Sequence, residues 1–158
     1  MNTETQASPL LQRLAGLPHS SRFTDNQIAL LYNTGCNLFD QGKYKEAAQL
    51  FEVASFYRPL ATHYLFAYGL ARQALKDFDS AIPILSSVGL LWPQDPRPSL
   101  QLAECHLALG QTEIAVNMLH LAVALAEQDP QYQALQSYAE RLLAAQTSSS
   151  GQAKQEAS

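Results

Sequence analysis

Valine and isoleucine are scarce, eight together in 158 residues against 25 leucines and 23 alanines. Strands favour β-branched side chains and helices favour Ala, Leu and Gln, so the imbalance excludes a sheet-based fold and predicts an all-α chain. Cysteine is nearly absent. Cys36 and Cys105 stand far apart, which excludes a disulfide framework and suits a reducing cytoplasm. No apolar run approaches the roughly 18 residues of a membrane-crossing helix, so no direct membrane insertion is expected. No basic segment leads into a hydrophobic stretch near the N-terminus, which argues against a secretory signal. Positive charge is short too: 10 Lys and Arg against 14 Asp and Glu, a net charge of −4. A nucleic-acid partner needs a basic stripe to neutralise phosphates, and none is expected here.

What is present is periodic. Gly35 and Gly69 lie 34 residues apart, the tetratricopeptide length, and the next position in phase is Ala103. Small residues there let two antiparallel helices approach closely. The partner phase holds Ala47, Ala81 and Ala115, followed by Phe51, Leu85 and Leu119, then Ala54, Val88 and Ala122. Pro59 and Pro93 close the first two repeats, and the third ends later at Asp129-Pro130. Turns fall at Gly42-Lys43-Tyr44, Lys76-Asp77-Phe78 and Gly110-Gln111-Thr112. This register predicts three tandem tetratricopeptide repeats at 28–61, 62–95 and 96–129 inside a domain spanning 23–146. Thr24 with Gln27 forms a capping-box pattern at its start. Residues 130–146 read as a C-terminal capping helix with a polar outer face, carrying Tyr132, Leu135, Tyr138, Leu142 and Leu143 at helical spacing. Pro83 removes a backbone donor inside a predicted helix, which is expected to persist with a bend.

The ends differ from the middle. Residues 147–158 lack large apolar side chains and residues 1–7 hold none beyond Met1, so both segments are expected to be disordered. Residues 8–22 read as a short N-terminal helix and linker. Leu10, Leu11, Leu14 and Leu17 form an apolar stripe that must dock, on this chain's own body or as a dimerisation surface.

Stacked helix pairs curve, and the first helix of each pair lines the concave side. The groove positions are Ala29, Tyr32, Cys36 and Phe39 in repeat 1, and His63, Phe66, Leu70 and Gln73 in repeat 2. Repeat 3 supplies Arg97, Leu100, Glu104 and Leu107. An aromatic and apolar line with a few polar groups suits an extended peptide with proline or leucine anchors.

Four stretches resemble the class II chaperones of bacterial type III secretion, the SycD/LcrH type. They are Leu31-Tyr32 with Gln41-Gly42-Lys43-Tyr44 and Glu46-Ala47; the run from His63 to Gln73; Phe78 with Ala81-Ile82; and Pro96-Arg97 with Ala103-Glu104-Cys105 and Leu107. The resemblance implies a cytoplasmic chaperone, often a homodimer through N-terminal helices. Such a chaperone holds an extended N-terminal segment of secreted, pore-forming translocators in the groove and prevents their aggregation and premature association. Tyr32, Phe39, Tyr44, Phe66 and Leu70 match the pocket positions. Cys36 stands where an aromatic is common and Phe39 replaces a frequent tyrosine, which implies larger and less polar pockets.

Two other binding readings share the fold: a general tetratricopeptide adaptor, and a chaperone of another secretion component such as a needle subunit. An adaptor that clamps a C-terminal carboxylate needs basic and Asn side chains where this chain has Tyr32, Cys36, Ala67, Arg97 and Gln101, and only Arg97 fits. No enzymatic signature is present. The four histidines and two cysteines lack any established metal spacing, no G-x-x-x-x-G-K-[ST] segment occurs, and neither a metal nor a cofactor is expected.

Overall fold

The computed structural model describes residues 23–155, and side chains as far as residue 148. The N-terminal leucine stripe, the segment 1–7 and residues 156–158 lie outside the described residues. Among the described residues all regular structure is helical: α1 Asp25–Asp40, α2 Tyr44–Tyr57, α3 Thr62–Ala74, α4 Phe78–Leu91, α5 Pro96–Ala108, α6 Thr112–Ala126 and α7 Gln133–Gln155, with a 3₁₀ turn at Pro130–Tyr132. The chain divides into two compact units between Leu75 and Lys76.

In the first unit, α1 starts where the capping box puts it. The Thr24 amide donates to Gln27 Oε1 at 2.8 Å, and the Gln27 amide donates back to Thr24 Oγ1 at 3.3 Å. Asp25 in the first turn complements the helix dipole and meets the Arg58 guanidinium just past the end of α2. Gly35 lets α1 and α2 close up: a Cβ built there would lie 2.6 Å from Phe51 Cε1. Phe51 is 2% exposed and packs with Ala47, Ala48 and Ala71. Truncating a buried ring of this kind costs about 3–5 kcal/mol.

The second unit repeats the scheme. Ala81, Leu85, Val88, Ala103, Ala115, Leu119 and Ala122 are all buried, as their phase predicts. Helix α4 is continuous from Phe78 to Leu91 with Pro83 inside it. Pro83 is its sixth residue and removes the donor that would reach the Asp79 carbonyl; in the following turn Ser86 Oγ and Ser87 Oγ donate to the carbonyls of Ile82 and Pro83 at 2.7 and 2.9 Å. Helix α7 lays Leu135, Ala139, Leu142 and Leu143 against Ala103, Leu119 and Ala122.

One boundary needs correction. The capping helix was expected over 130–146; a 3₁₀ turn occupies its start, and α7 then continues to Gln155. A tail without apolar side chains cannot join a core, but an existing helix propagates through it at little cost. Thr147 and Ser148 assist by donating their hydroxyls to the Ala144 carbonyl, both at 2.9 Å.

Candidate peptide-binding site

In the first unit the ring contacts at groove positions fall into two groups, Tyr32 of α1 with His63 and Tyr64 of α3, and Phe39 of α1 with Tyr44 of α2. The Tyr32 ring meets His63 edge-on at 5.4 Å, Tyr64 at 4.9 Å and Phe51 at 5.7 Å. His63 and Tyr64 are themselves 4.1 Å apart. Phe39 packs edge-on against Tyr44 at 5.0 Å. Tyr32, Cys36, Phe39, Tyr44, Phe66, Leu70 and Gln73 are half-buried and His63 is exposed. Side chains in that state have an apolar base in the core and a surface left over for a ligand. Burial, then a hydrogen bond with Cys36, pushes the Tyr32 phenol up to about 12. It therefore stays neutral at ordinary pH.

Part of the second-repeat signature is engaged within the fold. Arg72 donates to Tyr68 Oη through Nε at 3.2 Å and Nη2 at 2.9 Å. Burial raises the Tyr68 pKa, the Arg72 hydrogen bond opposes that rise, and Glu52 of α2 adds to it. Glu52 is itself buried. These three residues therefore tie α3 to α2. Tyr64 and Tyr68 were not singled out from the sequence, because their register positions fall between the groove and core phases.

The second unit differs in chemistry. Asp95 caps α5 and holds Arg97 with its backbone and guanidinium groups, Nε lying 2.9 and 3.0 Å from the two carboxylate oxygens. Arg97 Cζ also sits 5.2 Å from the Trp92 ring centroid. Burial alone would raise the Asp95 pKa, but the Arg97 hydrogen bonds and charge outweigh it and hold the carboxyl low. Leu100, expected in the groove, is 6% exposed and belongs to the core with Ala103, Leu119 and Ala139. That expectation is corrected: the residues α7 brings against this core close over the position. Glu104 is half-buried and accepts a 2.9 Å hydrogen bond from the Tyr138 hydroxyl. Tyr138 was expected to serve packing. Its signal was nonetheless present, because the 34-residue phase runs Cys36, Leu70, Glu104, Tyr138.

Cys105 is buried among helices, and that burial pushes its thiol up to about 11. Among the described residues no three His, Cys, Asp or Glu side chains converge as a metal site, and no helix is long and apolar enough to cross a membrane.

Models of the tetratricopeptide repeat match residues 30–59 and 72–137, so the helix pairs define a tetratricopeptide-repeat protein. Low calcium response locus protein H of Yersinia pseudotuberculosis serotype I is 26% identical over 125 residues, covering 79% of this chain and 74% of that protein. The structure of PcrH, a Pseudomonas aeruginosa protein, in complex with the chaperone binding region of PopD superposes with a TM-score of 0.77. It is 29% identical and covers 81% of this chain and 96% of PcrH. Yersinia enterocolitica SycD, a type III secretion chaperone in complex with a peptide of the translocator YopD, gives a TM-score of 0.76 at 25% identity, over 80% of this chain and 97% of SycD. Within the tetratricopeptide-repeat class, this chain is similar to proteins of the SycD/LcrH type over about four fifths of its length.

Proposed function

We propose that the chain is a cytoplasmic chaperone of a bacterial type III secretion system, binding an extended N-terminal segment of hydrophobic translocators and preventing their aggregation and premature association. The observation that carries this reading is the aromatic face of the first unit, where Tyr32, Phe39, His63, Phe66 and Leu70 offer apolar surface at groove positions. Two structures of one relative support it, since PcrH holds the chaperone binding region of PopD and, in another structure, that of PopB. A client made for a membrane exposes long apolar stretches before export and aggregates unless one segment is held. The task needs neither bond chemistry nor a cofactor, and we assign the chain no enzymatic activity. Leu10, Leu11, Leu14 and Leu17 are proposed to make a homodimer; light scattering of the full chain against one lacking residues 1–22 tests this. A carboxylate-clamp adaptor is disfavoured, because Arg97 already engages Asp95 and Trp92.

The test is fluorescence anisotropy with a labelled peptide of the PopD chaperone binding region. Wild type is expected to bind near the micromolar range, enough for a hold that must later release. Phe66→Ala is expected to weaken binding about tenfold while keeping the helical circular dichroism signal. Absence of binding, or equal affinity of the variant, overturns the reading.

A further inference from the structure

The groove register does not stop at the third repeat. One period beyond Glu104 stands Tyr138, and one period beyond Leu107 stands Arg141, both on α7. Tyr138 is 37% exposed, and Arg141 Cζ lies 5.8 Å from its ring centroid. The α7 helix thus carries two side chains at groove positions, although its Leu135, Ala139 and Leu142 serve as a cap.

The face it adjoins is polar. Arg97, Gln101 and Glu104 recur at i, i+4 and i+7, so they share one stripe of α5 that is exposed or half-buried along its length. The Tyr138 hydroxyl donates to Glu104 Oε1 at 2.9 Å. That bond, then burial and the Glu104 charge, raise the pKa of the phenol, so it keeps its proton and remains the donor at ordinary pH.

Resting on the peptide-chaperone reading, we infer that Tyr138 is a positioning residue of the client site: it fixes the Glu104 carboxylate on the α5 face, where that carboxylate accepts backbone N–H groups of the extended client. A carboxylate has about four acceptor positions, so a bond from Tyr138 is compatible with further donors. An extended segment without a strand partner offers one N–H per residue, and such bonds to an ionised acceptor are roughly twice as strong as neutral ones. A cationic client side chain suits this place less well, because Arg141 stands over Tyr138 and Arg97 sits about two turns away on α5.

The test is a double-mutant cycle on affinity for the PopD peptide, using Tyr138→Phe, Glu104→Ala and their combination. Tyr138→Phe keeps the ring under Arg141 and removes only the hydroxyl. Expected losses are about tenfold for Glu104→Ala and about threefold to tenfold for Tyr138→Phe, with the double variant no weaker than Glu104→Ala within about twofold. A residue with a merely structural role would instead give losses that multiply. Multiplying losses, or Tyr138→Phe binding as tightly as wild type or more so, overturn the inference. If Phe66→Ala weakens binding while Tyr138→Phe does not, only this inference falls. If wild type does not bind the peptide, the chaperone reading falls and this inference with it.

Discussion

Lysine 76 should be a glycine. Its φ is +59°, and the residues one period before and after it, Gly42 and Gly110, have φ of +76° and +72°. All three occupy the same left-handed position after a helix, where the backbone turns toward the next one. A Cβ at Gly42 or Gly110 would meet nothing within 4 Å, so the cost of a side chain at this turn is conformational rather than steric. For an L-residue that cost is about 1–2 kcal/mol. Lys76→Gly removes it, but glycine loses roughly 0.5–1 kcal/mol more on ordering, and the lysine charge near a helix C-terminus is worth about 0.3 kcal/mol. A net gain of about 0.5 kcal/mol remains, a rise of roughly 1–2 °C in Tm for a chain of this size. The converse changes, Gly42→Ala and Gly110→Ala, should each lose about 1 kcal/mol. Urea unfolding followed by circular dichroism and by Trp92 fluorescence measures all three, with two probes because the chain has two compact units. Destabilisation by Lys76→Gly would refute the reasoning, since it would mean that the lysine side chain outweighs the backbone strain.

Gly35→Ala should destabilise by about 1–2 kcal/mol in the same assay, because the new methyl lies 2.6 Å from the Phe51 ring, and combining it with Phe51→Leu should recover part of the loss. Asp95→Asn keeps a good helix cap but loses the charge held by Arg97. The folded pKa of Asp95 lies below its unfolded value, so its stabilisation is present above about pH 4 and disappears as pH falls through the folded pKa. With Arg97 half-exposed, the variant should lose only about 0.5–1 kcal/mol at pH 7, and the gap should close as pH falls through the lowered folded pKa. A gap that persists in acid would show that the carboxylate charge is not its source.

The fold was legible wherever a residue type has one physical use. Ala47, Phe51, Leu85 and Leu119 recur in phase because close helix pairs need small and large apolar groups at fixed places, and all four are buried. Thr24 with Gln27 marked a helix start because those side chains satisfy each other's backbone amides. The turn at Lys76 was legible as a turn, but its positive φ was hidden by a residue that seldom adopts it. Leu100 shows a different gap. Periodicity gives the angle at which a side chain leaves its helix, but not which element arrives to cover it, and the residues packed there from α7 are about 35–43 positions away in sequence. Composition likewise misjudged the tail, since a lack of apolar groups excludes packing without excluding helix. On the candidate site, register alone pointed to Tyr32 and His63, whose rings meet across α1 and α3. The Tyr138–Glu104 pair required carrying that register into a segment already explained as a cap.

The most direct test of the account is the affinity of the labelled PopD chaperone-binding peptide for wild type and for Phe66→Ala. The aromatic face of the first unit predicts saturable binding by wild type near the micromolar range and a loss of about tenfold in the variant, with the helical signal unchanged. No saturable binding by wild type, or equal affinities for the two proteins, would contradict it.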